Sequence, residues 1–513
     1  MTHHIRQLHL HLELNGTETE GLALRNELAG LCYDRLLPAL GRALDGCAPP
    51  DRHLCLDRLE VEAGTFALDR LEHDAAAAVA QAVAQALREQ TTHLNSPFQG
   101  AALTFSQLKT PQQTVEEALF YFLVTGQLPW SFRLPPGRSL EQALRQAWTK
   151  ALGSAQSETP DSAYSEIIGP ATIPRHFGDA LRRALTTAPA RQRLVWQFSA
   201  AFREELLAAC WPAAHRQFAA IRAALAPLAQ PAGFEQALWE TLLEHLVSGD
   251  SVPTAVLVGQ TWQRLPVALR KPALGAGLEW QWPGSTQALP SSSNPIATKL
   301  PTDTTAANPN NTALVGAAGP PSPLLPASGA PPATTTAPLD SAAPLGFPKE
   351  GYYLDNAGLV LLHPFLPRFF EGLGLAQHEQ LVEPARALGL LHFLATGQLL
   401  APEHALTLPK LLCAVPLVQP VVADVELTIV ETDEAEALLR AVVHHWTALR
   451  STSPDGLRGT FLARPGKLSR RPDGDWLLQV EPLSYDILLD QLPWGISRVQ
   501  LPWMPALLRV EWG

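Results

Sequence analysis

The heptapeptide FLVTGQL at Phe122–Leu128 returns as FLATGQL at Phe393–Leu399, on the far side of a long Pro/Thr/Ala-rich stretch. In both copies an apolar helical run, Val115 to Leu123 and Leu388 to Leu394, ends in Thr-Gly. A glycine there takes the left-handed conformation that closes a helix without a Cβ clash. Gly126 and Gly397 therefore read as structural helix stops. A stop alone does not call for Gln and Leu after it in both places, so the pair also reads as a duplicated building block of the kind assembly proteins reuse.

Outward from these two words the chain divides by pattern. Residues 5–14 alternate, with Leu8, Leu10, Leu12 and Leu14 on one face and His9, His11 and Glu13 on the other, as a half-buried strand does. A helix over 20–44 follows, then a second strand around Leu54–Val61 whose phase slips once, then an Ala-rich helix over 69–90. Residues 1–110 thus form a strand-helix-strand-helix module. From 111 to 282 the pattern is helical, over 114–125, 140–152, 179–185, 191–210, 215–225, 234–247 and 254–269, with Trp196, Trp211, Trp239, Trp262, Trp280 and Trp282 read as packing surface.

Between 283 and 347 only Lys299, Asp303 and Asp340 carry charge, and Pro, Ala, Thr and Ser dominate. Such composition does not bury enough apolar area to offset its ordering entropy, which predicts a disordered Pro/Thr/Ala-rich linker. As a flexible coil it spans about 45 Å root-mean-square, enough for the two halves to move apart. Residues 348–513 form a C-terminal domain with helices first, including one over 432–449, and short strands last, over 476–480, 485–489, 496–501 and 507–512. The fold class is α+β, predominantly helical.

Composition narrows the function. A chain of 513 residues exceeds one ordinary hydrophobic core, and 46% hydrophobic with 17% charged residues supplies several. The net charge of −11, with no basic cluster, argues against nucleic acid or an anionic bilayer as the partner. No apolar run is long enough to span a membrane, and the start lacks a secretory layout, which predicts a cytoplasmic protein. Five scattered cysteines suit reduced thiols better than a disulfide framework.

Several constellations invite a chemical reading. His3, His4, His9, His11 and His53 near Cys47 and Cys55 invite a metal reading, but their spacing fits no CxxC or HExxH pattern, so no metal and no cofactor is expected. Arg464-Pro-Gly-Lys-Leu-Ser469 echoes a phosphate loop but has Phe461 where that motif needs its first glycine. Ser453-Pro454-Asp455 reads instead as a helix start, with Gly466 just beyond that helix's close. His363, His444, His445, Tyr485 and Asp486 assemble on paper into an acid-base site, yet no spacing requires it and no catalytic residue is assigned. Trp494, Trp503 and Trp512 crowd the C-terminal tail. They cover a small β-rich core or, in the functional reading, anchor a protein partner.

The second half, from NAGLVLLHPFLP at Asn356–Pro367 through His445-Trp446 and SPDG at Ser453–Gly456 to LPWG at Leu492–Gly495 and LPW at Leu501–Trp503, resembles the contractile injection system tape measure proteins. The first half agrees with the same family at LDRLEVEAGTF (56–66), FLVTGQLPW (122–130) and APARQRLVWQF (188–198). The resemblance implies a non-enzymatic part of a phage-tail-like contractile particle whose partners are tube, baseplate or other particle proteins. It implies a tape measure that sets or templates inner tube length. The alternative is a cytoplasmic adaptor or chaperone for baseplate and tube assembly. Even wholly helical, a chain of this length reaches only about 770 Å, and its glycines and prolines break it, so a ruler would use only part of it.

Overall fold

The computed structural model describes most of residues 3–265 and 351–512; the longer stretches outside the described residues are 48–52, 95–105, 156–172, 226–232 and 266–350. The expected linker, with Trp280 and Trp282, lies outside them. The chain is a predominantly helical α+β protein.

The N-terminal module holds α1 (Glu18–Leu31), a π turn at Cys32–Leu36, α2 (Leu37–Cys47), β1 (His53–Leu56), α3 (Leu71–Leu94) and β2 (Ser106–Lys109). Strands β1 and β2 pair antiparallel, His53 against Lys109. Leu36, Leu40, Val83 and Leu87 are buried between the helices, with Leu54, Leu56, Leu59 and Val61 half-buried around them. The first expected strand differs from its reading. Residues 8–15 join no sheet, and Leu8, Leu10, Leu12 and Leu14 are all exposed. Among the described residues β1 pairs with β2 alone, and the alternating leucines add to neither strand.

The middle consists of α4 (Pro111–Thr125), α5 (Leu140–Ala155), α6 (Arg175–Ala184), α7 (Ala188–Gln197), α8 (Ala200–Cys210), α9 (Pro212–Leu225), α10 (Phe234–Ser248) and α11 (Thr254–Arg264). The single helix expected over 191–210 is two. Phe198 leaves helical geometry at ψ 150°, and the Ser199 hydroxyl accepts from Phe202 N at 3.2 Å, capping α8. Trp148 is buried in an aromatic layer, stacked on Phe202 and edge-on to Phe177, and Trp239 packs 4.3 Å from Phe218 between ring centroids.

The C-terminal part runs β3 (Tyr352–Leu354), α12 (Leu366–Gly372), the hairpin β4 (Ala376–Gln377) and β5 (Gln380–Leu381), α13 (Pro384–Thr396), α14 (Thr407–Leu412), α15 (Ile429–His445), α16 (Pro454–Leu457), β6 (Gly466–Arg470), β7 (Trp476–Val480), β8 (Arg498–Val499) and β9 (Leu508–Trp512). Its sheet has the order β3-β6-β7-β9-β8, with β7 and β9 parallel, Trp476 against Leu508. The segment expected as a strand over 485–489 is a 3₁₀ turn, Ser484–Gln491, because the Asp486 carboxylate turns back to Leu483 N at 2.8 Å. The helical stretch capped by Ser453 continues through a π turn at Arg458–Leu462, and Gly466, just beyond its close, opens β6. A Cβ there would stand 2.8 Å from Ala357 Cβ and 3.0 Å from Gln479 O, so close packing selects glycine.

By its contacts the chain divides into residues 1–280 with 350–513 as one unit and 281–349 as another. The first unit joins the two sequence halves, which the sequence alone allowed to move apart.

Candidate functional site

The two TGQL words build one helix end twice. Helix α4 starts at a Thr110–Gln113 capping box followed by Pro111, and α13 has Pro384 at its first turn. Gly126 ends α4 at φ 78° and Gly397 ends α13 at φ 71°, each amide donating to the phenylalanine carbonyl four residues back at 2.7 Å. The threonine hydroxyl donates to the preceding turn, Thr125 to Tyr121 O at 2.7 Å and Thr396 to His392 O at 2.8 Å. It also accepts from the glutamine amide, 3.1 Å away in both copies. Thr-Gly-Gln is thus a complete terminator, with glycine for the left-handed turn and threonine for the next backbone donor.

An arginine then caps the freed carbonyls in each copy. Arg193 Nη1 donates to Leu123 O and Val124 O, both at 3.0 Å, and Arg458 Nε donates to Leu394 O at 3.2 Å. Leu123 and Leu394 occupy the same place, three residues before the glycine. Both arginines lie four residues after a proline in the first turn of a later helix, Pro189 in α7 and Pro454 in α16. A cation here meets the negative end of the helix dipole as well as unpaired carbonyl oxygens.

The copies part company in what surrounds that arginine. Arg458 pairs with Glu436 at 2.5 Å and with the exposed Asp455 at 2.8 Å, and beyond the glycine Gln398, Leu399 and Leu400 are exposed. Arg193 is fully buried, and its Nε donates to Glu403 Oε1 at 3.1 Å, across the interval between the halves. Lys410 Nζ, also fully buried, donates to the same oxygen at 2.7 Å and to Gln419 O at 2.7 Å and Leu417 O at 3.2 Å. Around this triad Arg193 Nη2 donates to Val418 O, Gln197 donates to Val421 O and accepts from Glu403 N at 2.9 Å, and Thr407 donates to Gln127 Oε1 at 2.7 Å. Arg133 pairs with Asp355 at the margin. These contacts form a seam in which the first TGQL end is buried under residues 403–421.

Two cations and one carboxylate leave the seam core one positive charge over. Five carbonyl oxygens, two of them at the C-terminus of α4, offset it. Burial pushes the Lys410 ammonium down, and Glu403 pulls it part of the way back. His404 stands edge-on to Phe122, 6.1 Å between centroids, and burial, with His392 adding to it, pushes its imidazole down to about 4. Gly126 lies against this group so closely that a Cβ would come 2.5 Å from Glu403 Oε1 and 3.0 Å from Arg193.

The tail tryptophans are half-buried and hydrogen-bonded within the chain: Trp494 Nε1 to Leu361 O at 3.0 Å, Trp503 to Leu412 O at 2.7 Å, and Trp512 to Asp486 Oδ2 at 3.2 Å. They pin β8, β9 and the preceding turn to the C-terminal core. Arg464, buried, grips both oxygens of Asp486 at 2.6 and 2.9 Å. Burial pushes the Asp486 carboxyl up, but the bonds from Arg464, Leu483 and Trp512 outweigh it and hold the group below its ordinary value. That carboxylate is fully engaged as an acceptor, which makes it a poor base. His363, which closes a 3₁₀ turn at Ala357–Leu362, bonds back to Val360 O, and His445 packs 5.9 Å from Phe365. The structure does not bring His363, His445 and Asp486 into contact among the described residues, nor any group of three metal-binding side chains.

Sequence reasoning missed Arg193, Glu403, Lys410 and Arg458. The arginines had a signal, the Pro-x-x-x-Arg spacing shared by APARQR and SPDGLR downstream of each TGQL. Glu403 and Lys410 had none: Glu403 meets Arg193 from the other side of the interval, and Lys410 is drawn in only through Glu403 and the carbonyls of Leu417 and Gln419.

The family model described as contractile injection system tape measure protein matches residues 2–512. The chain belongs to that family. No curated protein and no solved structure matches it. The family is a structural one, and its members assemble with other proteins of the particle. Among the described residues no helix is long and apolar enough to cross a membrane.

Proposed function

We propose that this tape measure family member works in particle assembly as a folded, seam-closed unit, an adaptor on which tube or baseplate subunits are organised, rather than as an extended rod of measured length. The observation that carries this reading is the buried Arg193–Glu403–Lys410 triad, which ties together the two halves flanking 281–349. With residues 1–280 and 350–513 in one unit, the spacing of the halves is set by their own contacts and not by the length of chain between them. The partner surface then belongs to side chains left exposed, such as Leu399 and Leu400 beyond the second TGQL, while Trp494, Trp503 and Trp512 hold the tail that carries such a surface.

The second reading, a template for inner tube length, is favoured by the family's description, and it requires the seam to open so that the 281–349 segment becomes a spacer. Graded insertions and deletions of about 30 residues within that segment separate the two. As an adaptor the chain gives tubes of unchanged length in electron micrographs, with changes confined to yield. As a template it shifts tube length in the direction of each edit, by up to about 90 Å at about 3.1 Å per residue.

A further inference from the structure

Residues 8–14 read LHLHLEL and lie outside every sheet, with Leu8 at 42%, Leu10 at 44%, Leu12 at 46% and Leu14 at 38% exposure. Among the described residues this stretch makes no backbone hydrogen bond. A strand-patterned segment with all its leucines in water and no backbone partner is a template for strand addition. Its start is placed beside the N-terminal module, His3 Nε2 lying 2.9 Å from Asp45 Oδ1 of α2.

We propose that its occupant is the same segment of a second copy of this chain, paired antiparallel about a two-fold axis through His11. In that register Leu8 faces Leu14 and Leu10 faces Leu12 on one side of the ribbon, and His9 faces Glu13 twice on the other. Cross-strand polar and apolar side-chain pairs are the stabilising units of a sheet. A shift of two residues one way sets Leu12 against itself and leaves Leu8 without a partner. The opposite shift sets His9 against His11 and takes Glu13 away from any histidine. Only the first register keeps every leucine opposite a leucine while setting histidine against glutamate, and an isologous contact of this kind closes at two copies. A two-stranded ribbon is marginal alone, so its leucine face needs a layer beneath it. The half-buried rim of Leu54, Leu56, Leu59 and Val61, in the same module, supplies apolar surface for that layer.

The test uses the full chain in size-exclusion chromatography with light scattering across a concentration series. A dimer is expected for the wild type and a monomer for Leu10→Lys with Leu12→Lys. His11→Cys, which places one thiol on the axis, should give far more covalent dimer on mild oxidation than the wild type, whose native cysteines set the background. His9→Glu should weaken the dimer about fivefold in Kd through two cross-strand pairs, and adding Glu13→His should restore it. A monomeric wild type, a dimer indifferent to both charge changes, or no cross-link above background overturns the proposal. So does pairing of this segment only after tube or baseplate subunits are added, since that assigns the strand to a different partner.

Discussion

FLVTGQL and FLATGQL build the same helix end with the same hydrogen bonds, yet one is buried in a charged seam and the other faces water. Gln127 is 5% exposed and accepts from Thr407, whereas Gln398, its counterpart, is exposed. Local chemistry explains what is common to both: the left-handed glycine, the threonine bond and the arginine on the leucine carbonyl. Context explains the difference, because the first copy's arginine gained a carboxylate from the other half and the second found Glu436 and Asp455 close by. A short repeated word therefore fixes a backbone, and the residues that later meet it decide whether it becomes a terminator or an interface.

The largest expected effect comes from the carboxylate that separates the copies. Glu403→Gln leaves Arg193 and Lys410 buried together without a counter-charge and should lower unfolding free energy by about 3–5 kcal/mol in denaturant titration. Glu436→Gln removes the partly exposed partner of the buried Arg458 but leaves it the exposed Asp455, and should cost about 1 kcal/mol, less than Glu403→Gln. Equal losses in the two variants would erase the distinction.

The glycines sharpen the same comparison. Gly397→Ala should cost about 1 kcal/mol, the penalty of a side chain at positive φ, because the nearest foreign atom to its Cβ is Arg458 Cζ at 3.7 Å. Gly126→Ala carries that penalty and also forces Glu403 away, so its loss should be at least about twice as large. Matched melting temperatures would show that the first copy is no more tightly covered than the second.

Much of this was legible in sequence. The helix stops rest on a glycine and a threonine whose partners lie within four residues, and periodicity marks α4, α10, α15 and β7 for the same local reason. Phe198–Ser199 shows where local reading failed: the helical spacing of leucines runs through 191–210, and a side-chain cap overrides it. The leucines at 8–14 show the converse, a clean strand pattern that joins no sheet. The seam was illegible because Arg193 and Glu403 are 210 residues apart, and nothing near either residue marks the other.

A smaller effect should appear with acid. Burial pushes His404 and His392 down to about 4, below their ordinary value of 6.5. The unfolded chain therefore takes up these protons first, so stability is fullest above pH 6.5 and is lost as pH falls toward 4. The melting temperature should drop between pH 6.5 and 4.5, and His404→Gln should flatten that slope. A slope unchanged in the variant would remove His404 from the account.

The central claim is that the two halves are held together by the seam itself and not merely by chain connectivity. Residues 1–280 and 350–513 produced as separate chains and mixed should co-elute in equal amounts in size-exclusion chromatography with light scattering, and Glu403→Arg in the second chain should abolish that complex. Two well-folded chains that elute independently would contradict the claim.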